Sequence, residues 1–284
     1  MKAGACVAGA LALPGCRHPA PEPPPRREGP FIARLKYGSQ HARQFGDLRM
    51  PAGDGPHPIA MVIHGGFWLA TYELSLMDGL CDALQAQGIA TWNVEYRGMG
   101  HEGGGWPGTL LDVAAAADFL RALGMMQPLD LSRVVTLGHS AGGHLGLWLA
   151  ARRRIRTGIL ANPNPLAIAH VVALAPLADL RAASKAGYTV VEKFLGGSPK
   201  DVPNRYADAS PAEHLPLGVR QVVLHGTDDR IVALDLSRAY VAAAAAQGDD
   251  ATLVTLDGLG HFEPIDPTST AWPAVLDAVQ PVAR

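Results

Sequence analysis

Arg133-Val134-Val135-Thr136-Leu137-Gly138-His139-Ser140-Ala141-Gly142-Gly143-His144-Leu145 is the stretch whose reading decides the fold. Residues 133–137 form a short apolar run rich in valine, which predicts a buried strand, and residues 141–153 predict a helix. Between them lies Gly-x-Ser-x-Gly, so the chain must pass from strand to helix through a turn too tight for side chains beside the serine. Such a turn forces the serine into a strained backbone conformation and projects its oxygen above the sheet. The helix begins directly behind it, and helix N-terminal amides favour developing negative charge. Ser140 is therefore the candidate nucleophile.

The same alternation continues on both sides. Residues 59–63 and 89–94 read as strands, with a helix over 74–87 between them, and 109–123 reads as the next helix. Downstream, 170–174, 221–224 and 252–256 read as strands, and 235–246 and 272–282 as helices. Alternating strands and helices imply right-handed crossovers and a mostly parallel sheet covered by helices on both faces. The near-continuous apolar character of the strands fits that double covering. At 284 residues the chain can bury one large core. We place that domain at 31–284, with 176–216 as an insertion over the strand ends that forms a partial lid.

Open parallel sheets bind ligands beyond the carboxyl ends of their strands, so the residues after each strand are the informative ones. His64-Gly65-Gly66-Phe67-Trp68 follows 59–63. Its glycines let main-chain N–H groups face a carbonyl oxygen, and the amides of Gly66, Phe67 and Ala141 are the candidate oxyanion hole. His64 precedes these donors and reads as a residue that organises the loop. A hydroxyl nucleophile needs a base, and the base an orienting carboxylate. His225 and His261 both follow strands after the serine, and the chain order Ser, Asp, His makes His261 the base. His225 is expected to pack or hydrogen-bond near its strand end. The acid lies in the Asp228-Asp229 loop, and spacing alone does not choose between the two. Trp68 and Trp106 are candidate substrate contacts, although buried packing is the commoner role for any single aromatic residue. The histidines lack metal-ligand spacing, and Gly103-Gly104-Gly105 lacks the Gly-Lys-Ser/Thr of a phosphate loop. Neither a metal nor another cofactor is expected.

From about Tyr37 onward the chain resembles α/β-hydrolase esterases of the carboxylesterase, feruloyl-esterase-like and kynurenine-formamidase-like branch. The resemblance rests on Tyr37-Gly38 to Pro51, His64-Gly65-Gly66-Phe67-Trp68, Glu95-Tyr96-Arg97-Gly98, Gly104-Gly105-Trp106-Pro107-Gly108, Gly138 to Leu145 and His225-Gly226-Thr227-Asp228-Asp229. It implies an α/β-hydrolase fold with a Ser140–His261–Asp229 triad. Asp229 is the acid because the family's His-Gly-x-x-Asp pattern ends on it, and Asp228 then resembles a loop-capping residue. The expected substrate is a small-molecule carboxylic ester. Amide hydrolysis of the arylformamidase or peptidase type is the alternative, and a non-catalytic binding protein on the same fold a remote one.

The net charge of −2 gives no electrostatic reason to expect nucleic acid as a partner. Lys2, the small-residue apolar run over 3–13 and Pro14-Gly15-Cys16 have the layout of a secretory signal. Leu13-Pro14-Gly15-Cys16 resembles a bacterial lipobox, although Pro14 stands where a small residue is usual. The resemblance implies a signal segment over 1–16, a lipid on Cys16 and an exported, periplasmic or membrane-anchored protein; a cytoplasmic extension is the alternative. Pro21, Pro23, Pro24 and Pro25 make 17–30 a polyproline-type tether. Cys81 would then be the one cysteine left, which excludes a disulfide framework.

Overall fold

A computed structural model describes Met1 and residues 29–280. Cys16, the signal segment and most of the proline-rich tether lie outside the described residues.

Eight strands form one sheet: β1 (Phe31–Lys36), β2 (Phe45–Met50), β3 (His57–Ile63), β4 (Ala90–Val94), β5 (Leu129–His139), β6 (His170–Leu174), β7 (Arg220–Gly226) and β8 (Ala251–Leu256). Their order is β1-β2-β4-β3-β5-β6-β7-β8. β2 pairs antiparallel with β1 and with β4, and every pairing from β4 to β8 is parallel. The principal helices are α1 (Asp78–Ala86), α2 (Gly108–Met126), α3 (Ala141–Ala151), α4 (Leu180–Lys185), α5 (Thr189–Leu195), α6 (Pro203–Ala209), α7 (Leu234–Ala246) and α8 (Trp272–Val279).

Period-two alternation sends each central strand's side chains to two cores. On β3, Ile59, Met61 and Ile63 join Leu120 of α2 and Leu145 and Trp148 of α3. Ala60 and Val62 face the other way, onto Leu80, Cys81 and Leu84 of α1 and Val275 of α8. Each fully buried Val, Leu or Ile contributes about 1.5–3 kcal/mol, which makes this central register hard to shift. α3 is buried along its whole length, as an apolar helix without a polar face must be. Burial pushes the Cys81 thiol up to about 12, so it stays protonated as a small core residue.

The topology places the site. The chain leaves β3 through α1 toward β4, and leaves β5 through α3 toward β6, on the opposite side. β3 and β5 are neighbours, with Ile63 opposite Gly138. A crevice therefore opens between their carboxyl ends, where ligands bind in open α/β sheets. Residues 176–216 form α4, α5, α6 and a short 3-10 turn, and their Leu180, Val191, Phe194, Leu195 and Tyr206 are packed into the main core.

Candidate active site

Ser140 lies on the turn between β5 and α3 with φ 54° and ψ −116°. A left-handed conformation of this kind costs a non-glycine residue roughly 1–3 kcal/mol and persists only where the surroundings enforce it. Here the Ser140 amide donates to the Leu174 carbonyl of β6 at 2.7 Å, and the Ser140 carbonyl accepts from the His144 amide at 3.1 Å. Close packing does the rest. A Cβ on Gly138 would come within 2.1 Å of the Gly142 carbonyl oxygen, and one on Gly142 within 2.1 Å of the Ile63 carbonyl oxygen. Both glycines are therefore required for β5, α3 and β3 to approach as they do.

The loop after β3 is equally constrained. Gly66, Phe67 and Trp68 all have positive φ, at 104°, 53° and 56°. His64 holds its base: the ring stacks on Tyr96 at 4.3 Å, and the Tyr96 hydroxyl donates to the His64 carbonyl at 2.9 Å. Glu95, buried to 1% exposure, lies 3.4 Å from His64 Nε2 and 3.7 Å from Arg43, and accepts the Leu74 and Tyr96 amides. Burial alone would raise its carboxyl pKa; the His64 ring and the two amides outweigh that and hold it below its ordinary value. The Ala141 amide opens α3, and the first N–H groups of a helix have no intrahelical partner.

The two candidate carboxylates differ in burial. Asp228 is exposed, whereas the Asp229 side chain is wholly buried and its Oδ2 lies 2.6 Å from His261 Nδ1. Oδ1 accepts the Ile231 and Val232 amides at 2.8 and 2.9 Å, and His225 Nε2 lies 3.1 Å from Oδ2. Desolvation works to raise the Asp229 pKa. His225, His261 and the two amides more than reverse it and hold the carboxyl far below the usual range. His225 is itself fixed, with Nδ1 at 2.8 Å from the Ser237 hydroxyl. Asp229 is thus an ionised acceptor that sets the orientation and tautomer of His261.

Ser140 and His261 meet in one cleft of about 50 Å³, walled by Gly66, Phe67, Tyr72, Leu76, His139, Ile231 and Phe262. The two tryptophans are not among its lining residues. Trp68 is fully buried, stacked on Phe194 at 4.4 Å, because its left-handed backbone turns the ring into the core. Trp106 is half-buried against the same core, and its amide donates to the Phe194 carbonyl. No residue of 176–216 lines the cleft either. Its apolar wall comes instead from Tyr72, Leu76, Ile231 and Phe262, which carry no motif and are assembled only by the fold. Among the described residues no group of three or more His, Cys, Asp or Glu side chains is placed to hold a metal ion.

Solved structures share this architecture. A carbohydrate esterase from gut microbiota, in truncated form, superposes with a TM-score of 0.77 at 20% identity, covering 91% of this chain and 99% of that one. Esterase 2 of Thermogutta terrifontis phosphonylated by sarin gives a TM-score of 0.72 at 18% identity, with 89% and 94% covered. A bifunctional GH43-CE protein of Bacteroides eggerthii gives 0.77 at 22% identity over 88% of this chain, which spans 35% of that longer protein's length. No curated protein matches the sequence. The BD-FAE family matches residues 47–243, well over half of the chain, from within β2 to within α7. With the eight-stranded sheet and the serine turn at its centre, the chain belongs to the BD-FAE family and has the α/β-hydrolase fold.

Proposed function

We propose that the protein is a serine esterase that cleaves carboxylic esters through an acyl-enzyme. The observation that carries this reading is the 2.6 Å contact between Asp229 and His261, in the same cleft as a serine held at φ 54°. Ser140 Oγ attacks the ester carbonyl as His261 Nε2 takes its proton, and Asp229 stabilises the imidazolium that results. The Gly66, Phe67 and Ala141 amides receive the oxyanion, each donor being worth about 3–4 kcal/mol in the transition state. His261 then protonates the departing alcohol, activates water, and the acid is released with Ser140 restored.

A cleft of about 50 Å³ suits a short acyl group, with the alcohol directed outward. A neighbour described as a carbohydrate esterase supports an acylated carbohydrate as the alcohol side. A neighbour phosphonylated by sarin supports a fluorophosphonate as the test reagent. Intact-mass measurement should show one adduct on the wild type and none on Ser140→Ala; an unlabelled wild type refutes the proposal. Rates on p-nitrophenyl acetate, an acetylated oligosaccharide and N-formyl-kynurenine then separate ester from amide cleavage. Turnover confined to the amide would replace the esterase reading.

We also propose that the protein is exported and lipid-anchored through Cys16, on the strength of the lipobox-like Leu13-Pro14-Gly15-Cys16 and the proline tether behind it. Cys16→Ser should abolish incorporation of a labelled fatty acid and release the protein from membranes. Unchanged labelling removes the anchor from the account.

A further inference from the structure

His139 belongs to the serine turn by sequence, yet the mechanism above gives it no task. Its side chain is 1% exposed and lies between two loops. On one side its Nε2 is 2.9 Å from the main-chain carbonyl oxygen of His261, and the two rings are 4.6 Å apart. The Phe262 ring packs near it at 5.7 Å. On the other side Nδ1 lies against Gly65, where an added Cβ would approach to 2.9 Å. One ring thus touches the oxyanion loop and the base loop, while its own backbone carries the nucleophile.

The hydrogen-bond chemistry is determined. A carbonyl oxygen only accepts, so Nε2 must carry the proton that it receives. Burial, reinforced by the neighbouring His261, pushes the ring's pKa down to about 3, so at neutral pH the ring is uncharged and Nδ1 holds a lone pair. That Nδ1 is buried without a hydrogen-bond partner. A buried unpaired acceptor lowers stability, and a phenyl ring of similar shape would avoid the loss. A role confined to packing would therefore be filled better by phenylalanine.

We propose that His139 is a positioning residue, whose Nε2–H ties the main chain of His261 to the serine turn and so sets the separation of nucleophile and base. This rests on the reading of Ser140 and His261 given above. The tie joins residues 122 apart in sequence and holds the main chain of the residue that carries the working imidazole. Without it the base loop keeps the Asp229 contact but can pivot about it. A displacement of about 1 Å at reacting groups can lower a rate about 100-fold.

The test compares His139→Phe with His139→Gln, whose side-chain amide restores a donor near the position of Nε2. Rates of fluorophosphonate labelling, kcat and KM on p-nitrophenyl acetate, and Tm are measured together. His139→Phe loses the bond to the His261 carbonyl but also the unpaired Nδ1, so Tm should stay near the wild-type value while labelling and kcat fall about 100-fold with KM little changed, and His139→Gln should recover most of that rate. Wild-type rates in His139→Phe, or a Gln variant as slow as Phe at equal Tm, overturn the proposal. A wild type that does not label at all overturns instead the assignment of Ser140, which keeps the two failures distinct. Should His139→Phe not fold, 15N-histidine NMR of the wild type decides: a neutral Nε2–H tautomer at neutral pH supports the tie, and an Nδ1–H tautomer excludes it.

Discussion

The two sides of the cleft are built from different materials. Ser140 is placed by main chain: a left-handed residue, two glycines without room for a Cβ, and an amide bonded to the next strand. His261 and Asp229 are placed by side chains, with one carboxylate serving two histidines and two amides. Sterics tolerate almost no change, whereas a hydrogen-bond network weakens by degrees. The glycines that pack the serine turn should therefore respond to substitution through folding, and the acid–base side through rate.

Removing the proposed nucleophile should give the largest effect and isolate chemistry from folding. Ser140→Ala should lower kcat about a million-fold in an esterase assay while the urea midpoint stays near the wild-type value. Next, Asp229→Asn should cost about 10⁴ in kcat, because an amide nitrogen facing His261 disturbs its tautomer. The exposed neighbour offers the control, since Asp228→Asn should change kcat/KM by no more than about twofold. If the two variants lose activity equally, the burial argument for Asp229 fails. The third effect is one of stability. Gly142→Ala drives a methyl into the Ile63 carbonyl oxygen and should cost about 3 kcal/mol in urea unfolding. A tolerated alanine would show that the serine side is more compliant than its close packing implies.

The smallest effect is a pH dependence on the serine side. Burial pushes His144 of α3 down to about 4, against an opposing hydrogen bond to the Ala209 carbonyl. Its folded pKa lies below the unfolded value of about 6.5, so the unfolded chain takes up the proton first as the pH falls. The stability of neutral His144 is complete above that value and is lost progressively toward pH 4. Between pH 7 and pH 5 the wild type should lose about 1–2 kcal/mol more than His144→Leu in denaturant titrations. Parallel losses would assign the acid sensitivity to other groups.

How much of this was legible in the sequence follows from the same contrast. The strand at 170–174 coincides with β6, and the turn around Ser140 could be read because steric need leaves glycines at fixed spacing. β1 and β2 carry no comparable mark. β2 is Phe-Gly-Asp-Leu-Arg-Met, and no apolar run marks it because Arg49 faces inward onto Asp78 and Asp82, while Asp47 pairs with Arg34. Paired charges hide a strand that burial alone would have revealed. The choice of Asp229 over Asp228 came from family resemblance; only the fold exposes one carboxylate and buries the other. Trp68 departs from its expected place for a related reason. A glycine-rich loop suggests that its aromatic residue faces substrate, but three successive left-handed residues turn that ring into the core. Glu95 and Tyr96 belong to a segment that carries the family resemblance, but only the fold shows that they hold His64 from behind.

The backbone angles of Ser140 also bear on which chemistries this scaffold could evolve toward. At φ 54° a β-branched residue is a steric outlier, so threonine is closed to this position even though it offers the same hydroxyl. Cysteine is unbranched and fits the turn as serine does. With Ser140 as the proposed nucleophile, the turn would admit a thiol, with the thioester intermediates a thiol brings, but not a threonine nucleophile.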